Sequence, residues 1–183
     1  MCGSGTILAE ALMYAAKIPA GYLKEKFGFE NMPDFDQEIW SEVKEQCDAA
    51  IELPEPGLIK GSDIDPEAVR ASIVNLSYLP GGDRVQIVQS RFQDLPELEP
   101  CTILTNPPYG IRLMSKEDIE SFIGEVGDFL KQKCAGSNAW IYFGERKLIL
   151  KIGLRPSRKF PLNNGGLDGR LCKFEMYRGN RWT

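Results

Sequence analysis

The stretch Leu58-Ile59-Lys60-Gly61-Ser62-Asp63-Ile64-Asp65-Pro66 decides the fold. Residues 58–62 read as a short strand. Asp65 then reads as a helix N-cap, and Pro66 occupies the first helical position, where a missing N–H costs nothing. The helix predicted over Pro66–Tyr78 carries Val69, Ile73 and Leu76 at helical spacing as its buried face. A strand that passes through a short acidic turn into a helix is half of a β–α–β unit.

The alternation continues outward from this stretch. Upstream, Thr6–Ala16 predicts a helix that stops at Pro19 and Gly21, residues 22–36 predict a loop, and Gln37 to about Ile51 predicts a second helix. The second helix repeats apolar residues at Ile39, Val43, Cys47 and Ala50. Downstream, Val85–Val88, Cys101–Thr105 and Ala139–Phe143 predict strands. Ser115 to about Lys133 predicts a helix with an inward stripe of Ile119, Phe122, Ile123, Val126 and Leu130. Arg146–Ile152 predicts a short helix, and Lys159–Leu162 and Arg170–Tyr177 predict a closing antiparallel pair. The class is therefore α/β, with a mostly parallel sheet and a C-terminal antiparallel hairpin.

Composition narrows the chemistry. The 183 residues include no histidine, which excludes Ser-His-Asp and Cys-His catalysis. The five cysteines (Cys2, Cys47, Cys101, Cys134, Cys172) form no C-x-x-C pair, so no metal site is expected and the thiols are read as reduced, in a cytoplasmic protein. No apolar run is long enough for a membrane span. The net charge of −4 is unevenly spread. Residues 146–183 carry ten Lys or Arg against Asp168 and Glu175, while the rest of the chain has 12 basic and 24 acidic residues. A basic end on an acidic body fits a polyanion held at one edge, or a solvated tail.

Three segments lie where a strand gives way to a loop or helix, the edge at which open α/β sheets bind ligands. Cys2-Gly3-Ser4-Gly5 precedes the first helix. Its glycines permit positive φ and close approach, and the helix start favours an anionic group, although a plain tight turn explains the same residues. Asp63 is placed to accept hydrogen bonds from ribose hydroxyls, or is a turn residue. Asn106-Pro107-Pro108-Tyr109 is the most specific of the three. A conjugated exocyclic amine has two N–H donors and a poorly nucleophilic nitrogen. The Asn106 side-chain oxygen and the Pro107 carbonyl can each accept one N–H, turning the nitrogen lone pair toward an electrophile. Tyr109 offers a stacking face worth about 1–3 kcal/mol. The competing explanation is a proline-stiffened turn.

In their order and spacing, Cys2-Gly3-Ser4-Gly5, Asp63 and Asn106-Pro107-Pro108-Tyr109 resemble the class I S-adenosylmethionine-dependent methyltransferases, which implies a Rossmann-like sheet. The match is closer to the THUMP-associated RNA methylases, which include bacterial 23S ribosomal RNA guanine-N2 methyltransferases. Phe35-Asp36-Gln37-Glu38-Ile39-Trp40 and Asn163-Asn164-Gly165-Gly166-Leu167 extend the resemblance over essentially the whole chain.

The resemblance implies that Cys2, Gly3 and Gly5 line the methionine part of S-adenosyl-L-methionine, that Asp63 holds its ribose, and that Asn106, Pro107 and Tyr109 hold the target base of ribosomal RNA. The position where the family places an acid for the adenine amine is Arg91, which accepts no hydrogen bond. Phe92 packing on the adenine and Asp94 reaching it are the alternatives. The family's first strand, ending in Asp-Pro, and its THUMP domain do not precede Met1. Residues 1–183 are therefore expected to be a single methyltransferase catalytic domain within a fragment. The basic C-terminal segment is the expected phosphate contact. Rival readings are adenine-N6 methylation of DNA, a nucleotide-dependent dehydrogenase, which leaves Asn106–Tyr109 unused, and a non-catalytic RNA-binding remnant.

Overall fold

The computed structural model describes residues 1–108, 116–164 and 166–178. The chain divides into two compact units, Cys2–Gln89 and the segment from Ser90 onward together with Met1. No helix among the described residues is long and apolar enough to cross a membrane.

The first unit contains α1 (Thr6–Ala15), α2 (Gln37–Ala49), β1 (Lys60–Asp63), α3 (Pro66–Ser77) and β2 (Gln86–Gln89). β1 and β2 pair in parallel, with Lys60 opposite Gln86 and Asp63 opposite Gln89. α3 starts as the sequence predicts, with Pro66 in its first turn and the Asp65 carboxylate accepting the Glu67 amide at 2.9 Å. Leu8, Leu12, Ala16, Leu76, Leu79 and Val85 form the core. Gly61 lets α1 lie close to β1, because a Cβ there would run into the Leu8 side chain.

Two faces differ from the sequence expectation. On α3, Ile73 is 52% exposed, while Ser72 is fully buried one residue earlier, beside Leu76. The inward face is rotated because it meets a glycine turn that leaves room only for a small side chain. α2 forms under its Asp36 cap, which accepts the amides of Glu38 and Ile39, yet none of its residues is buried. Its Trp40 packs edge-on against Phe27 and Phe29, and Ile39 and Val43 remain in solvent.

The second unit contains β3 (Thr102–Thr105), α4 (Lys116–Lys133), β4 (Asn138–Phe143), β5 (Arg158–Asn164) and β6 (Leu167–Glu175). Its sheet runs in the order β3-β4-β6-β5. β3 and β4 are parallel, whereas β6 is antiparallel to both β4 and β5. The closing hairpin is thus present, with β6 on its inner side. Ile123, Val126 and Leu130 of α4 pack with Ile141, Phe143 and Phe174 of the sheet. The expected helix at Arg146–Ile152 is a 3-10 turn over Arg146–Leu150, closed by Gly153 at φ +66°. The expected start of α4 at Ser115 lies outside the described residues.

Candidate active site

The first cluster is built at the carboxyl end of β1. The Cys2 amide donates to the Ser62 carbonyl at 2.9 Å, which lays the N-terminal segment alongside the strand. The Gly5 amide donates to the Cys2 carbonyl at 3.0 Å, closing a tight turn. Gly3 at φ +56° and Gly5 at φ +82° take backbone conformations that side chains disfavour. α1 begins directly after Gly5, with no side-chain cap and no acidic residue in its first turn. Its positive end is therefore available to an anionic group.

Asp63 joins this turn to the strand. Its Oδ2 accepts the Gly3 amide at 2.9 Å, and its Oδ1 accepts the Asp65 amide at 3.1 Å. Burial pushes the Asp63 carboxyl up, but the N–H groups of Gly3 and Asp65, the positive amino terminus and the N–H of Ile64 together more than offset this and hold it below the usual carboxylate range. The group is an anion at neutral pH. A carboxylate only accepts hydrogen bonds, which suits the group to hydroxyl donors. Cys2, Gly3, Gly5 and Asp63 are therefore brought together at the end of β1.

Two side chains missed by the sequence reading support the turn from behind. Ser72 Oγ donates to the Gly3 carbonyl at 2.7 Å, and Asn75 Nδ2 donates to the Ser4 carbonyl at 2.9 Å. Cys2 Sγ lies 3.6 Å from Ser72 Oγ. A polar residue in register with Leu76 and Leu79 on the buried stripe of α3 is the signal that could have singled out Ser72.

In the second unit, β3 delivers Asn106 and Pro107 directly from its carboxyl end. Asn106 is exposed and Pro107 is buried, so the corner is anchored by its first proline. Thr105, immediately before Asn106, is 8% exposed, and its hydroxyl has no hydrogen-bond partner among the described residues. Tyr109 lies outside the described residues. Phe92 is buried and makes edge-on contacts with Phe122 and Phe129, at centroid distances of 5.6 and 5.5 Å. Its ring is thus a core element of this unit. Among the described residues, no group of three or more His, Cys, Asp or Glu side chains is placed to hold a metal.

The sequence pattern of the RMKL-like methyltransferase domain family matches residues 1–173. The ribosomal RNA large subunit methyltransferase K/L of Hahella chejuensis is 36% identical over 189 residues, covering 99% of this chain and 26% of that protein. The protein of the same name from Methylococcus capsulatus is 33% identical over 181 residues, covering 96% of this chain and 24% of that protein. The crystal structure of SMU.472 complexed with SAH superposes with a TM-score of 0.87 at 27% identity, covering 98% of this chain and 48% of that one. The chain spans between about a quarter and about half the length of these relatives. A match over residues 1–173, nearly the whole sequence, places this chain in the RMKL-like methyltransferase domain family.

Proposed function

We propose that this chain supplies S-adenosylmethionine-dependent methyl transfer to an exocyclic base amine of RNA, with guanine N2 of 23S ribosomal RNA as the target. The observation that carries the reading is the hydrogen bond from the Gly3 amide to Asp63, which builds a glycine turn and an ionised acid into one feature at a strand end. The residues fit the cofactor. No atom lies within 4 Å of where a Gly3 Cβ would stand, so the turn leaves space beside its backbone. The Asp63 carboxylate is an acceptor by chemistry, as ribose hydroxyl donors require. SMU.472 binds SAH, and the K/L relatives are named for ribosomal RNA methylation.

S-adenosylmethionine, when bound, supplies a methyl group on a sulfonium. The chain's own part is positioning. Cys2, Gly3 and Gly5 line the amino-acid end of the cofactor and Asp63 accepts the ribose hydroxyls. The Asn106 side-chain oxygen and the Pro107 carbonyl accept the two amine hydrogens and expose the nitrogen lone pair. Tyr109 stacks on the base. Phe92, committed to core packing, is left out of this set.

The basic segment is narrowed by its ion pairs. Arg146 and Arg170 both pair with Asp168, Lys151 with Glu120, and Lys173 with Glu175. Lys147, Arg155, Arg158, Lys159 and Arg178 are exposed and in no ion pair among the described residues, which makes them the phosphate contacts of this proposal.

The test is Asn106→Ala in the full-length protein, with methyl transfer followed on undermethylated ribosomal RNA and the product nucleoside identified by mass spectrometry. N2-methylguanosine from the unsubstituted protein, reduced at least a hundredfold in the variant, is the expected result. N6-methyladenosine as the product would overturn the guanine assignment. Undiminished activity would remove Asn106 from the site.

A further inference from the structure

We infer that Ser72 and Asn75 are positioning residues that hold the turn before α1 in its cofactor-receiving form. The inference rests on the assignment of that turn to S-adenosylmethionine. Both residues lie on α3, three positions apart and therefore on one helix face. Ser72 donates to the Gly3 carbonyl at 2.7 Å, and Asn75 donates to the Ser4 carbonyl at 2.9 Å. Two consecutive peptide groups of the turn are thus fixed from the same side.

Peptide planarity converts these bonds into an orientation on the opposite side. In a trans peptide, the N–H of the following residue points away from the carbonyl. The Gly3 carbonyl is drawn toward Ser72, so the Ser4 N–H is turned away from α3. That N–H has no acceptor among the described residues. The Gly3 amide is taken by Asp63 and the Gly5 amide by the Cys2 carbonyl, so the Ser4 amide is the uncommitted donor of the turn. It stands next to the uncapped start of α1, where negative charge is favoured. An amino-acid carboxylate is the chemical partner for that donor.

Packing makes the arrangement stiff. Ser72 is fully buried, and a Cβ at Gly5 would approach its Oγ to 2.9 Å, so α3 seats directly on the turn. The Ser72 hydroxyl hydrogen is used on the Gly3 carbonyl, which leaves its oxygen to accept from the Cys2 thiol at 3.6 Å. Replacing Ser72 or Asn75 removes one restraint on the turn and leaves the buried apolar residues of α3 in place.

The test compares Ser72→Ala, Asn75→Ala and Asn75→Asp with Leu76→Ala in the full-length protein. Asn75→Asp keeps the shape and loses the donor. S-adenosylhomocysteine affinity is read by calorimetry, and amide exchange of residues 3–6 is read in the cofactor-free protein. Loss of one such hydrogen bond predicts about 2- to 12-fold weaker binding in each of the first three variants. Exchange over residues 3–6 should be faster in those variants. Leu76→Ala should lower the unfolding temperature and leave affinity unchanged. Unchanged affinity in Ser72→Ala and Asn75→Ala, or an equal loss in Leu76→Ala, overturns the inference. Asp63→Ala, measured alongside, separates the two levels of argument. If it abolishes binding while the α3 variants bind normally, only the positioning role fails. If it too binds normally, or if the unsubstituted protein binds no S-adenosylhomocysteine, the cofactor assignment itself fails.

Discussion

The Asp63 carboxylate and the Gly3 amide, separated by 60 residues in sequence, meet at 2.9 Å. The same carboxylate accepts the Asp65 amide, so both of its oxygens face backbone donors. Asp63→Asn would keep the shape but set an NH2 group against one of those donors. A hydrogen bond to a charged group is worth about 1.5–3 kcal/mol when buried; the partial exposure of Asp63 lowers the expected loss at pH 7 to about 1–2 kcal/mol. The pH dependence has a definite sign. The folded carboxyl titrates below its unfolded value of about 3.9, so its stabilisation is present above that value and lost as the pH falls through the lower folded one. Urea denaturation of both proteins should show the gap at pH 7 and its closure in strong acid. A gap that persists unchanged at the acid end would show that the charge is irrelevant.

The thiols should divide by burial. Cys47 and Cys101 are exposed, whereas Cys134 and Cys172 are fully buried. Burial, with a smaller contribution from Cys101, pushes the Cys134 thiol up to about 12, and burial also raises that of Cys172. Thiolate is the reactive form, so both are doubly protected. Alkylation of the native protein at pH 8 should label Cys47 and Cys101 within minutes and reach Cys134 and Cys172 only on unfolding. Peptide mass spectrometry reads the order directly, and early labelling of Cys134 would contradict the packing of α4 against the sheet.

What the sequence made legible follows from the range over which each signal acts. Asp65-Pro66 and the α4 stripe are local patterns, and both hold. The order β3-β4-β6-β5 is not local, because placing β6 between β4 and β5 requires knowing which edge the returning chain takes. Ile39 and Val43 repeat like a core stripe although α2 buries none of its residues, since periodicity reports amphipathicity and not what covers the face. In the candidate site, Gly3, Gly5 and Asp63 were recognisable from their residue types and place in the chain. Ser72 was not, because a serine in a helix reads as surface until the turn it supports is seen.

Two glycines on α4 should respond with opposite signs. A Cβ at Gly127 would collide with the Ile152 carbonyl, whereas at Gly124 its nearest neighbour is the Lys151 carbonyl oxygen, at an ordinary 3.8 Å. Gly124→Ala should therefore stabilise by about 0.5–1 kcal/mol through helix propensity. Gly127→Ala gains the same propensity but must displace backbone, and overpacking should leave it about 1–2 kcal/mol less stable. Thermal unfolding of the two variants checks this. Equal shifts in the same direction would mean that α4 does not approach the turn at Ile152 so closely.

Arg158 and Lys159 lie side by side on β5 and point to opposite faces of the strand, as successive strand residues do. If both reach phosphates, the RNA must wrap the edge of the sheet; if one does, it lies on one face. Salt dependence separates these cases. Each phosphate contact to single-stranded RNA steepens the dependence of log affinity on log salt by about 0.7. Arg158→Ala and Lys159→Ala should each flatten the slope by that amount under edge wrapping, and the double variant should flatten it by about twice as much. Under one-face binding a single substitution carries the whole change. Arg146→Ala is the control, because its guanidinium is already paired with Asp168. Its slope should match that of the unsubstituted protein. Filter binding of a ribosomal RNA fragment across a salt series measures all four. Unchanged slopes for both Arg158→Ala and Lys159→Ala would move the phosphate contact off β5 altogether.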